Sequence, residues 1–527
     1  MRRALTPALV LLAACVTPSA RAPETAPSPA PVATAEPTAS VTAAELRRDL
    51  FAYAADSFMG RSAATPSGVK AARFLASRLA ALGLEPAGDS GYLQRVPLSR
   101  EAIGAATKFS VTTGGRTTDI PLGDLVPILS LGAGAPLPRL TAEGDIVFLG
   151  YGLTRPGRDD FANLDLRGKT VVFINSAPAG VDSVERAQLE SQAGIGARFP
   201  RIIQANPAAI IVLFAGAPAR QFPQIAAQLK QGSTTVGAGP DSTAARPMPL
   251  ILLGVPRAGS SLVPSGWPGD DRAQSLTGRR FSARVVTERE RVPAYNVAGI
   301  IRGSDPTLRN TYVAFGAHLD HVGVEAPVNG DSIANGADDD GSGTVALLAV
   351  ARAMMTAPHK PRRSSLFVWH TAEELGLLGS EYFTQNATVP LDSIVAQLNA
   401  DMIGRNSPDS LYLVGPLAAP KGQSAVLGGL VDSVNSGMSQ PFTINREWDS
   451  PSHPEQIYYR SDHYSYAKHG VPIVFFTTGL HDDYHKVSDE PDKIDYDKLA
   501  RVAELMRLSG IAVGNRVSRP APTEAVP

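Results

Sequence analysis

Tyr312-Val313-Ala314-Phe315-Gly316-Ala317-His318-Leu319-Asp320 is the stretch on which the reading of this chain turns. An apolar run without alternation describes a strand buried on both faces, and a histidine and an aspartate stand where it ends. Two-residue alternation puts His318 and Asp320 on one side of the chain. The pattern recurs downstream. Leu366-Phe367-Val368-Trp369 runs into His370-Thr371-Ala372-Glu373-Glu374, and Ile394 to Leu398 runs into Asn399-Ala400-Asp401. Ile473 to Phe476 leads through Thr477-Thr478-Gly479 to Asp482-Asp483-Tyr484-His485. Leu411 to Val414 is a further short strand, and the spacing predicts a helix from about Thr344 to Met355. This alternation predicts an α/β fold with a mostly parallel sheet sandwiched by helices. In such sheets ligands gather beyond the carboxyl ends of the strands, which is where these histidines and acids fall.

All 9 histidines lie after Tyr295. Between the first strand and its helix, Asn335-Gly336-Ala337-Asp338-Asp339-Asp340-Gly341-Ser342-Gly343 forms an acidic, glycine-rich turn. Three adjacent carboxylates repel one another, so either a cation or open solvent must relieve them. The turn does not fit a calcium EF-hand loop, which would need an acid or amide where Gly336 stands. Histidines and carboxylates collected at strand ends suit divalent ions of the zinc type. A carboxylate at Asp320 could fix the tautomer of a ligating His318.

Outward from this segment, Thr65-Pro66 offers an N-cap and first-turn proline to a packing helix that Gly83 ends. From Leu125 to Phe281 the pattern changes to short apolar runs, Ile146 to Leu149, Val171 to Ile174, Ile210 to Leu213 and Leu250 to Leu253, separated by Gly and Pro. These predict a β-rich inserted unit, which holds no histidine. At the N-terminus, Arg2 and Arg3 precede an apolar run and Leu12-Ala13-Ala14-Cys15, a secretory signal whose small-residue cleavage site ends in cysteine. Val16 to Ser40 is rich in Pro, Ala, Ser and Thr, as an extended tether would be. The expected divisions are a signal over 1–15, a tether over 16–42, a chemistry-bearing domain over 43–124 and 281–514, the insertion over 125–280, and a disordered tail over 515–527.

Composition excludes other chemistries. The 527 residues carry 49 Lys plus Arg against 50 Asp plus Glu, a formal net charge of −1, so no basic field exists to hold nucleic acid. Cys15 is the only cysteine, which removes intramolecular disulfides, thiolate zinc sites and a cysteine nucleophile. There is no Gly-x-Ser-x-Gly elbow, phosphate loop, His-Glu-x-x-His pair or dinucleotide fingerprint.

Together these motifs resemble the co-catalytic zinc exopeptidases, the family of bacterial leucyl aminopeptidase, glutamate carboxypeptidase and glutaminyl cyclase. The resemblance covers roughly Ala43 to Asp124 and Phe281 to Gly514, and the insertion looks like a protease-associated domain. It implies two Zn²⁺ per chain, one held by His318 and Asp401, the other by Glu374 and His485, with Asp339 bridging. Asp339 is chosen over Asp338 because the family's bridging Asp stands three residues before the Ser-Gly pair, here Ser342-Gly343. It further implies that Glu373 is the general base, that Asp320 orients His318, and that the Asp339–Asp340 peptide is cis. Tyr458, Ser461 and Asp462 resemble a segment near the substrate. The implied activity is hydrolysis of terminal peptide bonds, most naturally by an aminopeptidase. Carboxypeptidase or glutaminyl-cyclase-like chemistry on the same centre, or a non-catalytic receptor of the same fold, are the alternatives. Leu12 to Cys15 resembles a bacterial lipobox, which implies lipid attachment at Cys15, a membrane partner and a place in the cell envelope.

Overall fold

The computed structural model describes residues 40–130, 137–237, 248–256, 260–416, 422–450 and 452–521. Cys15, the signal and most of the tether therefore lie outside the described residues. The chain forms two compact units, one of Ser99–Arg291 and one that joins the stretch ending at Leu98 to the stretch starting at Val292. The expected division at 125 and 280 is thus corrected. Lys108–Thr113 and Arg116–Ile120, assigned by sequence to the chemistry-bearing domain, form a hairpin whose inner strand pairs with Gln274–Arg284 of the insertion. Their polar outer strand hides no long apolar run, so little along the chain marks a sheet edge there.

In the inserted unit all four apolar runs are strands: Thr141–Phe148, Thr170–Asn175, Ala209–Phe214 and Leu250–Gly254, aligned in parallel in that order. Antiparallel strands flank them. Helices Ser183–Glu190 and Phe222–Gln231 make the unit α/β rather than purely β.

In the other unit, Ser364–His370, Tyr312–His318, Ile394–Ala400 and Ile473–Thr477 lie side by side and parallel. Thr287–Ile301 on one side and Ser410–Val414 on the other pair antiparallel to this centre. Residues on each strand alternate between two cores. Val313, Phe315 and Ala317 face the core that includes helix Gly343–Thr356 and helix Tyr496–Asn515, while Tyr312 and Ala314 face the core that includes Phe383 and Tyr466. Both faces are therefore covered, as the unbroken apolar runs require. From Tyr312–His318 the chain moves to one neighbour, then crosses to the other. That reversal opens a crevice at the strand's carboxyl end, and the register sets His318 opposite His370 there.

The helix announced by Thr65-Pro66 spans Pro66–Leu82, with the Thr65 hydroxyl accepting from the Gly68 N–H and Gly83 left-handed at φ 77°. The tail is a second correction. Helix Tyr496–Asn515 runs through its expected start, and residues 516–521 are tied down by Arg363 on the Val517 carbonyl, Arg519 on the Ile394 carbonyl and Ser424 on the Ala521 carbonyl. Proline and alanine suggest disorder, but each anchor joins the tail to a distant segment, which local composition does not reveal.

Candidate metal centre

Five side chains from five strand-end segments meet beyond the sheet. His318 Nε2 lies 3.2 Å from Asp339 Oδ1 and 3.5 Å from Asp401 Oδ1. His485 Nε2 lies 3.1 Å from Asp339 Oδ2 and 3.0 Å from Glu374 Oε2. Asp339 thus turns one oxygen to each half. Donors about 2 Å from an ion in tetrahedral coordination stand about 3.3 Å apart, and these spacings match. His318 Nε2, Asp401 Oδ1 and His485 Nε2 are buried without a hydrogen-bond partner. Buried polar atoms are almost always paired, so three convergent orphans fit a cation that takes their lone pairs. The side chains could hold one ion among His318, Asp339 and Asp401, and another among Asp339, Glu374 and His485.

Of the three acids in the turn, only Asp339 faces this cluster. Asp338 accepts the Gly404 N–H at 2.7 Å and meets His481 Nε2 at 3.2 Å. Asp340 accepts the N–H groups of His318 and Gly343. Asp489 accepts the N–H groups of Asp338 and Asp339, so the acidic turn is held by main-chain bonds. The Asp339–Asp340 peptide is cis, as the resemblance implied. Burial works against ionising Asp339, yet contacts with His318 and His485 hold it well below the usual carboxylate range.

Asp320 departs in detail from its expected part. The His318 Nδ1 partner is the main-chain carbonyl of Asp320 at 3.1 Å, while the carboxylate stands 4.0 Å away. That carboxylate accepts the Glu373 N–H instead, at 3.2 Å, which places Glu373 and Glu374 on their turn. Glu373 shares a recess with Asp339 and Asp401. Enclosure, opposed by His318 and reinforced by the charges of Glu374 and Asp401, lifts its carboxyl well above the usual range.

Ser461 lines the recess, where its Oγ accepts from the Asn399 amide at 3.0 Å. Tyr458 and Asp462 do not line it. Tyr458 is 1% exposed and packs edge-on to Tyr459 and Tyr464, and Asp462 is fully buried with Oδ2 3.3 Å from His370 Nδ1. A polar motif suggested three wall residues, but the short helical turns Ile457–Tyr459 and His463–Ala467 rotate two of them into the core.

Several residues of the site went unread in the sequence. Trp448, Ile457, Phe475 and Leu480 give the recess an apolar wall, and Arg460 and Tyr484 a polar one. Arg460 donates to the Tyr484 hydroxyl, and the Tyr484 ring stacks on His485 at 3.9 Å. His321 Nδ1 lies 2.8 Å from Glu374 Oε1. Arg61, 1% exposed, donates to the carbonyls of Asn335 and Gly336, and its guanidinium covers the Tyr53 ring. The Tyr53 hydroxyl in turn donates to the Leu319 carbonyl. Only the Tyr484-His485 adjacency was available locally; the others are joined by chain separations of tens to hundreds of residues.

Residues 296–509 match the sequence profile of peptidase family M28. A probable leucine aminopeptidase 1 of Trichophyton verrucosum is 29% identical over 238 residues, 43% of this chain and 60% of the relative. Leucine aminopeptidase 1 of Penicillium rubens is 33% identical over 201 residues, 36% of this chain and 49% of the relative. The chain thus spans about half to three-fifths of the length of these relatives. The structure of an aminopeptidase from Aneurinibacillus sp. strain AM-1 has the same fold, with a TM-score of 0.51 at 19% identity over 92% of this chain and 96% of that one. The matched segment carries every side chain of the cluster, and residues 296–509 therefore belong to peptidase family M28, the co-catalytic zinc exopeptidases whose motifs they carry.

Proposed function

We propose that this protein is a di-zinc exopeptidase that removes N-terminal residues from peptides. The observation that carries the reading is Asp339 with one oxygen directed to each of two histidine-carboxylate sets. His318 and Asp401 would hold one ion, Glu374 and His485 the other. Zinc ions there would polarise a carbonyl and bring the pKa of a water toward neutrality. Glu373 is the residue that moves the proton: it takes one from the attacking water and returns it to the leaving amine. Its raised carboxyl suits that exchange, because a carboxylate made more basic by enclosure takes up a proton more readily. The Asp320 carboxylate holds the Glu373 turn through its main chain. Trp448, Ile457, Phe475 and Leu480 suit an apolar side chain on the residue removed. The leucine aminopeptidase names of the relatives agree with that preference.

Arg460 on the recess wall favours the second reading, a carboxypeptidase, since a guanidinium pairs with a terminal carboxylate. Leucyl peptides offered with free and with acetylated α-amines separate the two. Aminopeptidase action cleaves only the free-amine set and releases the first residue. Release of C-terminal residues from both sets would replace it with carboxypeptidase action.

The unit Ser99–Arg291 is read as a protease-associated domain, and Cys15 as a lipid attachment that anchors the enzyme to the cell envelope. The support for the anchor is the Leu12 to Cys15 motif followed by a Pro-rich stretch. Cys15→Ser is expected to leave the membrane fraction or remain uncleaved. An unchanged distribution, with no acyl mass on the wild type, would refute the anchor.

A further inference from the structure

His321 stands one residue past the strand-end pair and is 1% exposed. Its ring is fixed on three sides. Nδ1 meets Glu374 Oε1 at 2.8 Å, and the ring stands edge-on to His485 with centroids 5.7 Å apart. The third side is Gly336, left-handed at φ 57°, where a Cβ would come within 2.5 Å of His321 Cγ and Cδ2. No other residue fits that turn beneath the ring. Arg61 donates to the Gly336 carbonyl at 2.8 Å and so holds the floor in place.

The two halves of the centre are therefore unequal. In the half near His485, Glu374 Oε2 and Asp339 Oδ2 converge on His485 Nε2 at 3.0 and 3.1 Å. His321 Nδ1 reaches the opposite oxygen of Glu374 and lies 3.8 Å from Asp339 Oδ2, outside that convergence. An ionised carboxylate only accepts hydrogen bonds, so the contact puts the proton on Nδ1. We propose that His321 is a positioning residue that holds Glu374 through Oε1 and leaves Oε2 to the ion shared with His485. This rests on the two-ion reading above. Partners of ligating side chains typically govern metal affinity by about ten- to a hundredfold, because they fix the ligand's orientation before the ion arrives. His321 bonds neither His318 nor Asp401 among the described residues and only approaches the shared Asp339, on its far oxygen, so the ion between His318 and Asp401 should depend on it little.

The test is stepwise zinc titration of the full chain against a chromophoric chelator, with melting of the zinc-free protein as the control for folding. His321→Leu should keep one ion at wild-type affinity and bind the other about ten- to a hundredfold more weakly. His321→Asn should recover most of that loss, because its amide N–H can stand where Nδ1–H stood. In a Glu374→Gln background, His321→Leu should weaken zinc binding no further, since the residue acts through Glu374. Undiminished affinity for both ions in His321→Leu overturns the proposal. So does failure of His321→Asn to recover affinity while the zinc-free protein melts normally, which would make His321 a direct ligand. A wild type that takes up fewer than two ions sinks the two-ion reading instead. The His321–Glu374 pair is then judged on the remaining ion by the same double-variant comparison: independent losses overturn it, non-additive losses sustain it.

Discussion

Glu373 and Glu374 are adjacent carboxylates whose surroundings divide their work. Glu374 is pinned between His321 and His485, whereas the Glu373 side chain faces the recess and the residue is held through its main chain, its N–H by Asp320 and its carbonyl by the N–H groups of Gly376 and Leu377. Glu373→Gln should therefore keep near-normal zinc, measured by elemental analysis, and lose at least about a hundredfold in kcat/KM, the usual scale of proton-transfer assistance. Glu374→Gln should lose zinc and activity together. Wild-type turnover in Glu373→Gln would remove it as the base. His463 makes a separate prediction about acid. It is fully buried, stacks on Phe475 at 4.5 Å, and its Nε2–H donates to the Tyr458 carbonyl. Burial, only partly offset by that bond and by Asp462, lowers its pKa from 6.5 to about 4. Above pH 6.5 the ring is neutral in both states and costs nothing. As pH falls from 6.5 toward 4 the unfolded chain takes up a proton that the folded chain refuses, so stability is lost over that window, by up to about 3 kcal/mol. His463→Phe, which keeps the stack, should flatten this slope in urea unfolding at pH 4.5 and pH 7. An equal slope in both proteins would clear His463.

The acidic turn between Tyr312–His318 and Gly343–Thr356 shows how elements set a ligand. Of Asp338, Asp339 and Asp340, two are spent on N–H groups of Gly404, His318 and Gly343, and the N–H groups of the turn itself go to Asp489. The family resemblance singles out Asp339 through the Ser342-Gly343 register, and in the structure helix Gly343–Thr356 starts against the strand ends, where a Cβ at Gly343 would lie 2.4 Å from the Ala400 carbonyl. Arg61 was not legible, because its partners lie 274 and 275 residues away and its neighbours carry no ligand-like pattern. Arg61→Met would strand two buried carbonyls, and about 3 kcal/mol of stability should disappear from denaturant unfolding. Loss of less than about 0.5 kcal/mol would show that water replaces the guanidinium. The hairpin Gly323–Val328 with Asp331–Ala334 was legible and went unread: its Asn329-Gly330 turn, with φ of 53° and 92°, is the strongest short hairpin signal a sequence offers.

At the scale of the molecule, each compact unit has its own buried clusters, one built around Phe148 and Ile211, the other around Phe315 and Leu398. Calorimetry should therefore show two transitions, and chelation should lower only that of the zinc-binding unit, since a ligand stabilises the structure it binds. A single transition that shifts as a whole would mean that the units unfold as one. The fold class and the strand ends where histidines and acids gather were readable from the chain alone, because a doubly covered parallel sheet demands unbroken apolar runs and places its ligands just after them. Local order carries that information: strand, then histidine or acid, repeated. Which five of those residues to single out came from the family resemblance. What the chain alone could not decide were the inserted unit's edges, the fate of Tyr458 and Asp462, and the partners Arg61, His321 and Asp489. Those depend on which side chains meet after the sheet closes and its turns rotate, and no spacing along the chain records a contact made across hundreds of residues.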